Sequence, residues 1–158
     1  MSYTIKNKSL TRFAVVQTIY CIKSSQFSEL DILNSSDEKN PEFLLGLDEN
    51  IDKKKIDKNL FSNIIKIQKD KKELIEKLIN KNINKNWNIE RLPIILHSIL
   101  IAAISEMILS PKLSLGIIAT EYLKITECFF LEGESAFVNA IIEKVYSILI
   151  SSKESANG

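Results

Sequence analysis

The stretch LPIILHSILIAAISEMIL, residues 92–109, is the most apolar part of the chain and decides its fold class. A helix that is apolar around its whole circumference is typical of a protein core or of a membrane span. This stretch is about as short as a span can be, and it contains Pro93, His97 and Glu106. We therefore predict a buried central helix, from about Ile89 to Leu109, in a globular protein.

The composition favours long helices around this core. The chain has 158 residues, of which 45% are apolar, but only four are glycine and three are proline. All-β architectures need many turn residues, so their scarcity disfavours that class. The length suits one domain or two tightly packed halves. The predicted fold class is all-α.

Helical periodicity predicts the elements that come before the central helix. A helix capped by Ser9 ends near Ser24 or Ser25, and a short apolar run at Phe43–Leu47 could add one turn. Asp57 is a plausible N-cap for the next helical segment. This segment is either two helices or one bent helix, and its helical pattern ends in the Asn/Lys tract that runs to Asn86.

Two further helices are predicted after the central one, from about Leu113 to Cys128 and from Glu134 or Ser135 onward. The predicted organisation is a flexible basic arm at 1–8, one helical domain at 9–150 and a disordered tail at 151–158. The domain divides into halves at about 9–84 and 87–150.

No pattern in the sequence indicates catalysis. His97 is the only histidine, and it lies in the most apolar helix without a sequence-level sign of the partner that a general base needs. No phosphate loop, nucleophile elbow or metal-spaced Cys or His is present. Cys21 and Cys128 read as reduced cysteines of a cytosolic protein. We predict no enzymatic activity, no cofactor and no metal.

Three segments, in this order and spacing, together resemble the NusB family. Residues 12–20, RFAVVQTIY, resemble the family's opening helix, Arg-x-x-Ala-x-Gln-x-Leu-Tyr. Trp87 and the segment 99–107, ILIAAISEM, resemble its Trp before a helix that ends in Ile-Leu-Arg-x-Ala-x-x-Glu-Leu. Residues 117–121, IIATE, and 137–140, FVNA, resemble its Ile-Asn-Glu and Phe-Val-Asn-Gly segments.

The resemblance implies a fold of about seven helices in two small bundles. It also implies a role in transcription: binding of the single-stranded boxA element of ribosomal RNA leaders, together with NusE, a small-subunit ribosomal protein. In the family this pair helps RNA polymerase resist termination, as part of an antitermination complex in the cytoplasm. No membrane is involved.

The resemblance also assigns candidate RNA-binding residues. The net charge is only about +1, so RNA binding needs a local patch. Lys6, Lys8 and Arg12 could supply one, because cations neutralise phosphates. Gln17 and Phe137 match family positions near the RNA, and single-stranded RNA is recognised by stacking and by contacts to base edges. Both could equally be core residues.

The candidate partner-binding residues are Tyr20, Leu96, His97 and Ile101. Tyr20 matches a family contact position, and tyrosine is favoured at interfaces because its large ring carries a polar tip. His97 is predicted to be a packed or an interface histidine.

Some positions depart from the family pattern. Leu96 and Ile101 replace charged residues, Glu127 replaces a basic one, and Gly133 replaces an acidic one. If Leu96 and Ile101 were exposed, they would favour hydrophobic association. The alternative hypothesis is therefore a homodimeric interaction module with the same fold and with weak or no RNA binding.

Overall fold

The computed structural model describes residues 6–24, 53–83 and 91–157. Within these ranges the secondary structure is helical, with no strand, which confirms the all-α class. A short 3-10 helix occupies Lys53–Lys55. The α-helices are α1 Lys8–Lys23, α2 Lys58–Asp70, α3 Lys72–Asn82, α4 Ile94–Leu109, α5 Leu115–Phe129 and α6 Glu132–Asn157. The predicted turn at Phe43–Leu47, Trp87 and the arm before Lys6 lie outside the described residues.

Helix α4 is the centre of the molecule, as predicted. It packs against each of the other five α-helices, and every residue from Leu96 to Met107 is buried. It begins at Ile94, later than predicted, and Pro93 is its N-cap residue with ψ at 138°. Proline disfavours the α region for the residue before it, so Leu92 cannot extend the helix.

The two serine side chains of α4 are satisfied inside the helix itself. Ser98 Oγ donates to Ile94 O at 2.7 Å, and Ser105 Oγ donates to Ile101 O at 2.7 Å. Because a buried hydroxyl without a partner is costly, these bonds to the preceding turn let serine lie in the core.

Helix α1 is capped by Asn7, not by Ser9 as predicted. The Asn7 side chain accepts a hydrogen bond from Leu10 N at 3.0 Å. Ser9 lies inside the first turn, and its Oγ donates instead to Glu121 Oε2 on α5 at 2.7 Å. Both residue types favour the N-cap, so the local sequence did not distinguish them.

The predicted cap at Asp57 is confirmed. Its side chain accepts from Leu60 N at 3.1 Å, and its own N–H donates to Thr11 Oγ1 on α1 at 2.9 Å. Helices α2 and α3 are separate, because the chain leaves helical geometry at Lys71, with φ at −110° and ψ at 22°. This answers the question that the sequence left open.

The last helix begins at Glu132 and continues to Asn157, through most of the segment that was predicted to be a disordered tail. Residues 134–157 contain neither glycine nor proline, so no residue in them breaks the helix.

The buried apolar side chains of both predicted halves form one core. The halves meet where α1, α2 and α3 pack against α4, and where α3 packs against α6. None of the helices described here is both long and apolar enough to cross a membrane.

The enclosure of α4 predicts that it tolerates no added volume. Ala103 is fully buried, so we expect Ala103→Leu to lower the free energy of unfolding by about 1–3 kcal/mol through overpacking. Ala140→Leu, at an exposed position on α6, is the matched control and should change it little. Urea denaturation measures both, and equal stabilities would contradict the close packing around α4.

Candidate nucleic-acid interface

The chain before α1 is attached to the 3-10 helix. Asn7 N donates to Lys55 O at 2.7 Å, and Lys6 Nζ donates to Lys54 O at 2.9 Å. Lys6 is therefore not part of a free arm, which corrects the prediction for that residue. Lys8 is the first residue of α1, and its side chain is exposed.

These contacts bring lysines from two distant parts of the sequence together. We call Lys6, Lys8, Lys54 and Lys55 the N-terminal lysine cluster, and all four are exposed. The positive end of the α1 dipole lies beside it. Sequence reasoning missed Lys54 and Lys55 because the contacts span nearly fifty residues. The only local signal was a run of three lysines just before the Asp57 cap.

Arg12 is buried and paired, and it does not contribute to this surface. Its Nε donates to Glu106 Oε1 at 2.8 Å and its Nη2 donates to Glu106 Oε2 at 2.9 Å. Its Nη1 lies 3.7 Å from Glu121 Oε2. Burial by itself lowers the pKa of Arg12, but the hydrogen bond and charge of Glu106 outweigh this effect and raise it. The expected phosphate contact at Arg12 does not fit this geometry.

Tyr122 completes the buried cluster around Glu106. Its hydroxyl donates to Glu106 Oε1 at 2.7 Å, and burial, with the charge of Glu106, raises the pKa of Tyr122 well above its ordinary value. Arg12, Glu106 and Glu121 belong to the three segments that carry the family resemblance. They meet here and join α1, α4 and α5.

A second group of side chains lies further along α1, on a different side of the helix from Lys8. Phe13, Gln17 and Tyr20 follow one another at intervals of four and three residues, so they lie on the same side of the helix. The Phe13 ring is parallel to that of Phe129, with an interplanar angle of 9° and centroids 5.9 Å apart. Tyr20 is 40% exposed, as a contact residue requires.

Gln17 and Phe137 have mixed environments. Gln17 is half-buried, and its Oε1 atom is buried without a hydrogen-bond partner among the residues described. Phe137, near the start of α6, is partly buried and packs against the core. The structure therefore leaves part of each side chain at the surface.

The predicted partner contacts at Leu96 and Ile101 do not form an exposed apolar surface. Leu96 is fully buried and Ile101 nearly so. The prediction was wrong for Leu96, because α4 is covered on every side by other helices. Ile101 lines a cavity of about 190 Å³ whose other apolar walls are Ile19, Ile22 and Ile75.

His97 is mostly buried and pairs with a carboxylate on α3. Its Nε2 lies 2.9 and 3.1 Å from the two carboxylate oxygens of Glu76. Burial tends to raise the pKa of Glu76, but the hydrogen bond and charge of His97, with the charges of Lys23 and Lys72, outweigh it and lower the pKa. The described part of the chain shows no group of three or more His, Cys, Asp or Glu side chains that could hold a metal ion.

Glu127 and Gly133, two positions that depart from the family pattern, lie close together along the chain. Glu127 is exposed near the end of α5, and Gly133 is the second residue of α6. Glu127 adds a negative charge to the surface at this end of α5, where Lys124 is also exposed.

Comparison with known proteins identifies relatives along most of the chain. The sequence model of the NusB family matches residues 9–147. The transcription antitermination protein NusB of Novosphingobium aromaticivorans is 28% identical over 140 residues, covering 89% of this chain and 93% of that protein. The protein of the same name from Rickettsia rickettsii (strain Sheila Smith) is 26% identical over 147 residues, covering 91% and 94%.

A solved structure of T. maritima NusB has a similar fold. It superposes with a TM-score of 0.69, at 20% sequence identity, and the match covers 91% of this chain and 93% of that one. At this level of identity the likeness concerns the fold alone.

The buried ion pair predicts a large loss of stability when one partner is removed. We expect Arg12→Ala to lower the free energy of unfolding by about 3–5 kcal/mol, because it leaves the Glu106 carboxylate buried without its counter-ion. Replacing both residues by methionine should cost less. Arg91→Ala, at an exposed arginine, is the control. If both alanine variants are equally stable by urea denaturation, the pair is not structural.

The pairing of Glu76 with His97 predicts a pH dependence. Because the pKa of Glu76 is lowered by folding, the unfolded chain takes up this proton first as pH falls below the ordinary value of 4.5. Stability from this pair is therefore present above that value and lost with acidification. In Glu76→Gln, the decrease in unfolding free energy between about pH 6 and about pH 3.5 should be smaller than in the parent chain.

Glu127→Gln, which changes an exposed carboxylate, is the matched control for this measurement. It should keep the acid dependence of the parent chain. An unchanged acid dependence in Glu76→Gln would show that the pair with His97 adds no stability.

Proposed function

This chain belongs to the NusB family, and on that premise we propose that it is a transcription antitermination factor. In this proposal it binds boxA-type single-stranded RNA of ribosomal RNA leaders together with NusE, and helps RNA polymerase resist termination. The names of its curated relatives support the transcriptional role. The role is that of a binding protein without catalysis, and it belongs to the cytoplasm, where bacterial transcription takes place.

The observation that carries the RNA half is the exposed N-terminal lysine cluster at the start of the same helix that carries Phe13 and Gln17. Lys6 and Lys8 are exposed at its start, and Phe13 and Gln17 follow along the helix. Cations neutralise phosphates, whereas aromatic and amide side chains stack on bases and contact their edges. Single-stranded RNA offers both kinds of group to one such surface. Phe137, at the start of α6, remains part of the proposed surface.

The chemistry of the cluster predicts how the RNA is held. Lysine is a point charge and lacks the planar, bidentate geometry of arginine. The burial of Arg12 leaves lysines as the proposed phosphate ligands. Contacts of this kind give an affinity that falls with salt concentration.

We propose that the protein partner contacts Tyr20 and the cavity that is lined by residues next to Tyr20 in the sequence. Ile19 and Ile22, the neighbours of Tyr20 on α1, line that cavity with Ile101. His97 pairs with Glu76, which also lines the cavity. An apolar side chain of NusE could enter the cavity while Tyr20 contributes its ring.

The homodimer hypothesis has lost its basis. It depended on exposure of Leu96 and Ile101, and both side chains are buried within the chain. No other observation in the described residues favours it over binding to NusE.

A binding titration with boxA RNA, with and without NusE, at two salt concentrations tests the proposal. We expect Lys6→Glu combined with Lys8→Glu to weaken RNA binding. The slope of log affinity against log salt should decrease by about 0.7 for each phosphate contact that is lost. Binding of NusE without RNA should be unchanged.

Lys77→Glu combined with Lys81→Glu is the matched control, because it makes the same change of charge at exposed positions on α3. It should alter the salt slope little. Failure of the folded parent chain to bind boxA RNA, with or without NusE, would reject the RNA half of the proposal.

A further inference from the structure

We propose that Phe129, held in place by Phe13, is a stacking platform for one nucleobase of the bound RNA. This inference rests on the proposed function and deepens it, because it names the ring on which one base stacks and makes Phe13 the support of that ring. Phe129 was not among the residues that the sequence predicted. It is the last residue of α5.

The first observation is an exposed aromatic ring with a fixed orientation. Phe129 is 44% exposed, although a phenyl ring gains free energy when it is buried. Its ring is parallel to Phe13, and centroids 5.9 Å apart place the two rings in an offset stack. Phe13 itself packs against the core. The free side of Phe129 can therefore extend the stack by one more flat ring.

The second observation is the unpartnered amide oxygen on the same helix face. Gln17 follows Phe13 by one turn, and its buried Oε1 has no hydrogen-bond partner in the described chain. Buried polar atoms are nearly always hydrogen-bonded. The terminal torsion of glutamine is soft, so the amide can rotate and present this oxygen to a ligand. The exocyclic amino group of adenine or cytosine is a donor that would satisfy it.

Stacking of a base on Phe129 does not depend on a cation beside the ring. Glu127 precedes it by two residues, and Glu132 follows it by three; both are exposed. Lys124, on the same helix as Glu127, is exposed as well, so the charges at this end of α5 have both signs, and stacking of a neutral base needs no cation. Lys8 lies five residues before Phe13, about 7.5 Å along α1. Five residues also turn the helix by about 140°, so a strand of RNA that places phosphates at the lysine cluster and a base at Phe129 must pass partly around α1.

The first test compares RNA affinity among variants of the whole chain. We expect Phe129→Ala to weaken boxA RNA binding on the order of tenfold, with an unchanged salt slope, and Phe129→Trp to retain affinity. Leu131→Ala is the control, because Leu131 is 84% exposed on the connection that follows Phe129 and has no ring. Equal affinity of the parent chain and Phe129→Ala would overturn the platform.

The second test uses RNAs that each lack one base at a different position. In the parent chain, one abasic position should cost about as much affinity as Phe129→Ala. In Phe129→Ala that same position should cost nothing further, because the base has lost its platform. If the loss of affinity from the missing base and the loss from Phe129→Ala are additive at every position, the inference is overturned.

Two outcomes distinguish this inference from the proposed function. If the parent chain binds RNA and Phe129→Ala instead loses affinity for NusE without RNA, the ring is a protein contact and the platform is rejected. If the parent chain binds no RNA, the proposed RNA function fails first. Unfolding curves for Phe129→Ala and Phe129→Trp show that any loss belongs to folded protein.

Discussion

The two hydrogen bonds from Arg12 to Glu106, 2.8 and 2.9 Å long, tie the first helix to the central one. A buried ion pair adds little net stability compared with apolar packing, but breaking it is costly, so it selects one arrangement of the helices. Glu121 and Tyr122 extend the pair onto α5. The guanidinium group of Arg12 thus links α1 to both α4 and α5, together with the Ser9–Glu121 hydrogen bond and the Phe13–Phe129 stack. These contacts set where the exposed face of α1 lies.

The enclosure of α4 accounts for the apolar residues at two positions where the resemblance to the family predicts charged ones. Leu96 is fully buried and Ile101 forms one wall of a cavity, so neither side chain exposes an apolar patch to solvent. The same enclosure keeps His97 beside Glu76. Leu96 and Ile101, which in the sequence suggested an exposed apolar surface, therefore belong to the packing between α4 and its neighbours. The proposed partner surface is reduced to Tyr20 and the mouth of the cavity.

The sequence predicted what local patterns determine. The central helix and the Asp57 cap follow from apolar spacing and capping chemistry. Long-range pairing is not visible in such patterns. Arg12 looked like an exposed cation because its carboxylate partners are 94 and 109 residues away. The contribution of Lys54 to the lysine cluster depends on a contact with Lys6 that spans 48 residues.

The near-neutral net charge constrains how the proposed RNA surface can work. At about +1 the chain has little long-range attraction for RNA, so affinity must come from short-range contacts. The lysine cluster would supply a contribution to the RNA affinity that weakens with salt, and the Phe13–Phe129 stack would supply a contribution that does not. Tyr20 lies on the same helix face as Phe13 and Gln17, so RNA and NusE would contact neighbouring parts of α1. Any gain in RNA affinity from NusE must then be matched by an equal gain in NusE affinity from RNA.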